Sequence, residues 1–296
     1  MTQTSERLIR NISDTALWVA VYRARENDRP DALFRDPYAR KLAGERGEQI
    51  AKQMESRVTH EWPYIARTVR FDQILRDQIK DGTDMVVNLA AGLDTRPYHM
   101  ELPPSLKWVE VDLPAMIDYK EELLRNEKPR CQLRRVKLDL ADVAARRALF
   151  KELGSAAKKA LIISEGLIVY LSRDEVLALA KDIAEPAGFR NWAIDIASPG
   201  LLKMLQKEMP ALSEAGSPLK FGPAEGPEFF TAAGWKPVEV YSMLKTASQL
   251  KRLPSLMLRF FALLPESNGK QGSRPWSGVC RLTKVGSGAP IPGNAA

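Results

Sequence analysis

The chain is short of the residues that most often announce a chemistry: it has two cysteines and two histidines in 296 residues. Cys131 and Cys280 make no disulfide framework and lack the partner spacing of a zinc site. His60 and His99 build no metal triad, because no acids stand beside them at ligand spacing, so no metal is expected. Long apolar runs are missing too. The most apolar late stretch, Leu253 to Leu264, is interrupted by Pro254 and Arg259 and falls short of the about 20 residues of a membrane helix. The start, MTQTSERLIRN, has no apolar core of a signal peptide. These absences predict a cytoplasmic protein with no membrane partner.

Charge of one sign is spread thinly. The formal net charge of +7 comes from Lys and Arg along the whole chain, without a dense run or interleaved aromatics. This predicts a solvated basic face and no nucleic-acid partner, and it is compatible with an anionic small molecule. The 45% hydrophobic content suffices for the core of one large α/β domain.

What is present is an alternation. Residues 5 to 80 read as helical, with helices over Ala16 to Glu26, from Asp36-Pro37 onward, and over Pro63 to Ile79. A prelude of this length must cover a sheet face or roof a pocket. Strand signals at 85–89, 108–111, 132–137, 160–164 and 191–196 then alternate with helices at 114–126, 142–153 and 173–185, which argues a parallel, doubly wound sheet. Ser198 to Pro227 reads as an insert before the sixth strand. A helix over 227–233, a strand from Trp235 to Tyr241, a helix over about 246–264 and a final strand at 279–285 follow, with a Pro/Gly-rich tail from 286 to 296. The chain divides into an N-terminal helical cap (1–80), a cofactor-binding core (81–197), and the insert with final strands and helix (198–285).

Four segments carry the chemistry. MVVNLAAGLDTRPY (Met85 to Tyr98) is a buried strand breaking into small residues at Ala90, Ala91 and Gly92, where a backbone approaches a ligand closely. WVEVD (Trp108 to Asp112) ends in an acid about twenty residues later, the position that accepts hydrogen bonds from ribose hydroxyls. The first loop has a single glycine and fails the G-x-G-x-x-G pattern of a pyrophosphate site, so a nucleoside without phosphates is expected. Asp139-Leu140 and LIISEG (Leu161 to Gly166) complete the set. An acid such as Glu165 among apolar residues is costly to bury alone and should face a polar ligand or a cation.

At AAGLDTR (Ala90 to Arg96), EVD (Glu110 to Asp112) and SEGLIVYLS (Ser164 to Ser172) the chain resembles the leucine carboxyl methyltransferase-like family of S-adenosylmethionine (SAM)-dependent O-methyltransferases. DTALWVAVYRARE and RPDALFRDPYARKLAG resemble its bacterial branch, and the resemblance spans roughly residues 12 to 285. It implies a class I methyltransferase (Rossmann-like) sheet with helices on both faces and an antiparallel final strand. It also implies SAM as cofactor and S-adenosylhomocysteine as product. Arg67 stands where the family's arginine meets the cofactor carboxylate, with Arg70 as runner-up. Asp139 and Leu140 stand at the adenine, and Glu165 beside the methionine part.

Structural readings stand beside several of these. Besides holding ribose, Asp112 can serve as an N-cap of the helix near Pro114, since a carboxylate has two oxygens; Asp142 reads as the cap of the helix that follows it, and Asp94, Thr95 and Arg96 as loop architecture, with Arg96 also in reach of the site. Tyr170 packs or contacts substrate, and it, His60 or an acid of the cap would be the base that a hydroxyl acceptor needs; a carboxylate acceptor needs none. Tyr241 and Lys245 share a reductase-like spacing in the wrong place. The expected activity is methyl transfer by proximity to a carboxylate or hydroxyl of a small molecule. A protein C-terminal carboxyl methyltransferase, a non-catalytic SAM-binding protein and an NAD(P)-dependent oxidoreductase are the alternatives.

Overall fold

The computed structural model describes residues 13–55, 61–265 and 274–286. Three helices come first: α1 (Asp14–Asp28), α2 (Ala39–Glu55) and α3 (Trp62–Lys80). The alternation follows as β1 (Met85–Leu89), a single turn α4 (Arg96–His99), β2 (Lys107–Asp112), α5 (Pro114–Leu124), β3 (Gln132–Lys137), α6 (Val143–Ala156), β4 (Ala160–Ser164), α7 (Arg173–Ala184) and β5 (Phe189–Ala197). The insert forms α8 (Pro199–Glu208) and α9 (Pro210–Glu214), and the chain closes with β6 (Trp235–Ser242), α10 (Met243–Gln249), α11 (Leu256–Leu263) and β7 (Ser277–Lys284).

The seven strands lie in the order β3-β2-β1-β4-β5-β7-β6, the first five parallel and β7 antiparallel to both of its neighbours. Alternation along the strands sends side chains to two faces. Val87, Val109, Ile162 and Ile194 pack against Leu149 and Phe150 of α6 and Val176 and Leu179 of α7. Val86, Trp108, Leu161 and Ile163 pack against Ala66, Phe71 and Ile74 of α3 and Met243 of α10. A third apolar cluster joins α1 and α2 to Leu202, Met209 and Leu219 of the insert. The helical prelude therefore does both things open to it: α3 covers a sheet face, and α1 and α2 pack with the insert.

Proline and backbone geometry account for three departures from the sequence reading. The helix expected over 246–264 is two helices, because Lys251 adopts a left-handed φ of 56° and Pro254 cannot donate to a continuing helix. Residues Gly226–Ala233 form a 3-10 segment instead of an α-helix. The second helix begins at Ala39, because the Asp36 carboxylate accepts the Tyr38 N–H (3.1 Å) in a local turn before it. Cys131 and Cys280 are free and buried, and burial pushes the Cys131 thiol up to about 11. Among the described residues no helix is long and apolar enough to cross a membrane.

Candidate active site

In the strand order, β1 connects outward to β2 on one side while β4 lies on the other, so the sheet's switch point falls between β1 and β4. The parallel registers bring Ala90, Asp112, Leu138, Glu165 and Asp195 to one edge of the sheet. A cavity of about 880 Å³ opens there, within the about 300–1,000 Å³ typical of ligand pockets. Arg67, Ala90, Gly92, Asp112, Asp139, Leu140, Glu165 and Tyr170 all line it.

The Ala90 to Gly92 turn uses left-handed backbone at both ends. Ala90 has φ 52° and Gly92 φ 48°, and the left-handed region costs a side-chain-bearing residue about 1–2 kcal/mol. A Cβ on Gly92 would stand 3.3 Å from the Ala16 Cβ of α1. The Asp112 carboxylate accepts the Gly92 N–H at 2.6 Å and its own neighbour Leu113 N–H at 2.7 Å. The cap position of α5 is Leu113, so Asp112 is no N-cap; it ties the β2 end to the first loop. Burial pushes its carboxyl up from the ordinary range against the pull of those two N–H groups.

Beside this loop lies a buried ionic network. Arg67 Nε donates to Glu165 (3.1 Å) and Nη1 to Asp195 (3.1 Å), with the Tyr64 ring 5.3 Å from the guanidinium. The second Glu165 oxygen meets Arg96 Nη1 at 3.0 Å, and Arg96 also bonds Asp94 (3.0 Å) and Asp72 (2.6 Å). Asn88 donates to Asp94 at 2.8 Å, and Asp195 accepts the Gly166 N–H at 2.7 Å. Burial works against the charges of Arg67 and Arg96, but the surrounding carboxylates outweigh it and raise both guanidiniums further. Asp72 and Asp94 split: burial dominates at Asp72 and raises it, whereas Arg96 and its neighbours overcome burial at Asp94 and lower it. The cation that Glu165 needs is thus within the chain, on both sides of it.

The remaining candidates fall into place by contact. Asp139 is exposed at the cavity and accepts the Ala141 N–H at 2.9 Å, while Asp142 caps α6 through Ala145 (3.0 Å). Arg70 is turned away onto α10, bonded to Thr246 and Gln249 at 2.9 Å and stacked 4.5 Å from Tyr241, and it does not line the cavity. Tyr241 bonds Glu239 instead, and neither it nor Lys245 reaches the site. His99 lines the cavity with Nδ1 3.1 Å from the Thr95 hydroxyl; His60 lies outside the described residues. Burial pushes the Tyr170 phenol up from its ordinary range.

Asp195 and Asp72 escape the sequence reading. Asp195 carries the same signal as Asp112 and Glu165, an acid within an apolar strand (FRNWAIDIA), but no partner spacing marks it. Asp72 looks like an ordinary helix acid until α3 is laid on the sheet.

The sequence profile of leucine carboxyl methyltransferases matches residues 16–184, more than half of the chain. The chain belongs to the leucine carboxyl methyltransferase family. A candidate S-adenosyl-L-methionine-dependent methyltransferase of Streptomyces avermitilis is 30% identical over 250 residues, covering 80% of this chain and 87% of that protein. Another, from Parafrankia sp., is 32% identical over 270 residues, with 83% and 84% covered. The sheet is that of class I methyltransferases. A protein of the duf574 family from Streptomyces avermitilis matches with a TM-score of 0.60 at 13% identity, covering 91% of this chain and 97% of that one. A candidate methyltransferase from Thermobifida fusca gives 0.60 at 16%, with 94% and 96% covered. The leucine carboxyl methyltransferase match takes in Arg67, Gly92, Asp112, Asp139 and Glu165 and stops in α7, leaving Asp195 and the insert outside it.

Proposed function

We propose that this family member is a SAM-dependent O-methyltransferase acting on a small molecule. The observation that carries the reading is the meeting of the Gly92 loop, Asp112 and the Arg67–Glu165–Asp195 network in one cavity at the switch point. The charges of that network fit the cofactor. Four carboxylates, those of Asp72, Asp94, Glu165 and Asp195, surround the two buried guanidiniums of Arg67 and Arg96. That acid excess suits a ligand part bearing a sulfonium and an ammonium, and Arg67 suits its carboxylate.

Asp112 would hold the ribose hydroxyls, Asp139 and Leu140 the adenine, and Arg67 and Glu165 the methionine end. The bound cofactor supplies a methyl group on a sulfonium, whose transfer makes one bond to oxygen, breaks one to sulfur and leaves a neutral thioether. The chain's own task is to orient the acceptor oxygen and keep water out, which is worth about 7–11 kcal/mol when alignment is good. Trp18 and Val19 of α1 and Leu205 of α8 line the part of the cavity that would do so.

SAM and S-adenosylhomocysteine are expected to raise the melting temperature, by the equivalent of about 2.7 kcal/mol at a hundredfold excess over Kd. NAD and NADP should not. An equal shift with NAD would overturn the assignment, and conversion of SAM to S-adenosylhomocysteine over a panel of hydroxyl and carboxyl compounds separates an enzyme from a SAM-binding protein. Asp112→Asn keeps one acceptor oxygen for the backbone but removes the charge. We expect it to weaken S-adenosylhomocysteine about tenfold, the difference between a charged and a neutral acceptor. Unchanged affinity in calorimetry with a lowered melting temperature would reduce Asp112 to a tie between β2 and the loop.

A further inference from the structure

The net charge of +7 does not reach into the cavity. Its described lining holds nine Asp or Glu carboxylates against four guanidiniums, and no lysine. Each of the four is already engaged. Arg23 bonds Asp36 (2.9 Å) and the Leu93 carbonyl (2.6 Å). Arg146 bonds Asp182 (3.0 Å) and the Leu140 carbonyl (2.7 Å). Arg67 and Arg96 bridge the acids of the central network. Unlike the cofactor carboxylate, which arrives with its own ammonium and sulfonium for the network's acids, an anionic acceptor would meet a field of its own sign and would have to break an existing ion pair to find a cation.

The wall beyond the cofactor residues is apolar. Trp18 and Val19 of α1 face the cavity together with Leu201, Met204, Leu205 and Leu219 of the insert. α1 and the insert share one hydrophobic cluster, so this wall is a packed surface. One polar group interrupts it. The Glu208 carboxylate, at the end of α8, lines the cavity and forms no ion pair with the described residues.

We propose that the methyl acceptor is an uncharged, mainly apolar molecule bearing a hydroxyl, and that the insert selects against carboxylates and phosphates. This rests on the cofactor reading above, since it assigns the apolar wall to the acceptor. The apolar body lies against Leu201, Met204 and Leu205. The Glu208 carboxylate accepts the hydrogen bond of the hydroxyl and takes up the proton that its methylation releases.

The test uses two dyes with the same ring skeleton, neutral N-phenyl-1-naphthylamine and its sulfonate, 8-anilinonaphthalene-1-sulfonate, titrated into the full chain saturated with S-adenosylhomocysteine. The neutral dye should bind at least about tenfold tighter. Met204→Arg, at a half-exposed position of α8, adds a guanidinium to the wall and should strengthen the sulfonate at least about tenfold. Leu205→Trp should fill the chamber and abolish neutral-dye binding, with Leu201→Trp as the second filling variant should the first melt early. Sulfonate binding equal to or tighter than neutral-dye binding in the wild type overturns the proposal. So does neutral-dye binding that is absent, or that both filling variants leave intact. Failure of the cofactor reading shows separately, as a melting temperature that S-adenosylhomocysteine does not move while the dye preference persists.

Discussion

Lys120→Ala is expected to lower the unfolding free energy by about 3–5 kcal/mol, the cost of stranding one partner of a buried ion pair. Lys120 on α5 and Glu110 on β2 are both fully buried, with Nζ 2.8 Å from Oε1. Arg135 holds the other Glu110 oxygen at 2.9 Å and the Tyr98 hydroxyl at 2.6 Å, so the glutamate keeps one cation and loses one. Lys120→Met combined with Glu110→Leu should recover most of the loss, because two apolar side chains of similar volume leave no buried charge except Arg135, which retains some contact with water. Denaturant midpoints at constant m measure both variants. A loss below about 1 kcal/mol for the single variant would mean that water reaches Glu110 and that the pair adds little.

Arg67→Ala is expected to separate ligands by their functional groups. It should weaken SAM and S-adenosylhomocysteine by about 1.5–3 kcal/mol and leave adenosine and methylthioadenosine nearly unchanged, because only the first two carry the carboxylate that a guanidinium grips with two bonds. Arg67→Lys should restore little, since an ammonium keeps the charge without the fork. Stability will fall as well. Arg67 is the cation facing Asp195 and one of two facing Glu165, so its removal leaves carboxylates short of partners. Calorimetry well below the melting temperature keeps the two effects apart. A uniform loss over all four ligands would make Arg67 a structural bridge only and move the carboxylate to Arg96, because Arg70 is committed to α10.

The signals that were legible in the sequence share one property: they are local. Met85 to Leu89 ending in small residues, and Trp108 to Asp112 ending in an acid, each announce a strand and what stands at its end. The register of the parallel pairs then carries both ends to the same edge. Glu165 was legible as a buried acid in want of a cation, but not which cation. Arg67 lies 98 residues before it in the chain, and Arg96 reaches it from a different element. The helix break at Lys251 and Pro254 was readable in part, since Pro254 stood in view, yet the left-handed turn ahead of it had no marker because Lys251 carries a side chain that usually avoids it.

Composition and pattern alone determined the layered α/β sheet, and the family resemblance its antiparallel last strand. Hydrophobic periodicity depends on neighbours a few residues away, so one dimension suffices for it. Only the tertiary structure decided the electrostatics of the cavity. A chain of net charge +7 turns its acids inward there and ties each lining guanidinium to a carboxylate, as Arg23 is to Asp36 and Arg146 to Asp182. Charge pairing acts through space over a few ångströms and ignores separation along the chain, so the sign of a pocket emerges only when the elements that line it have been packed together.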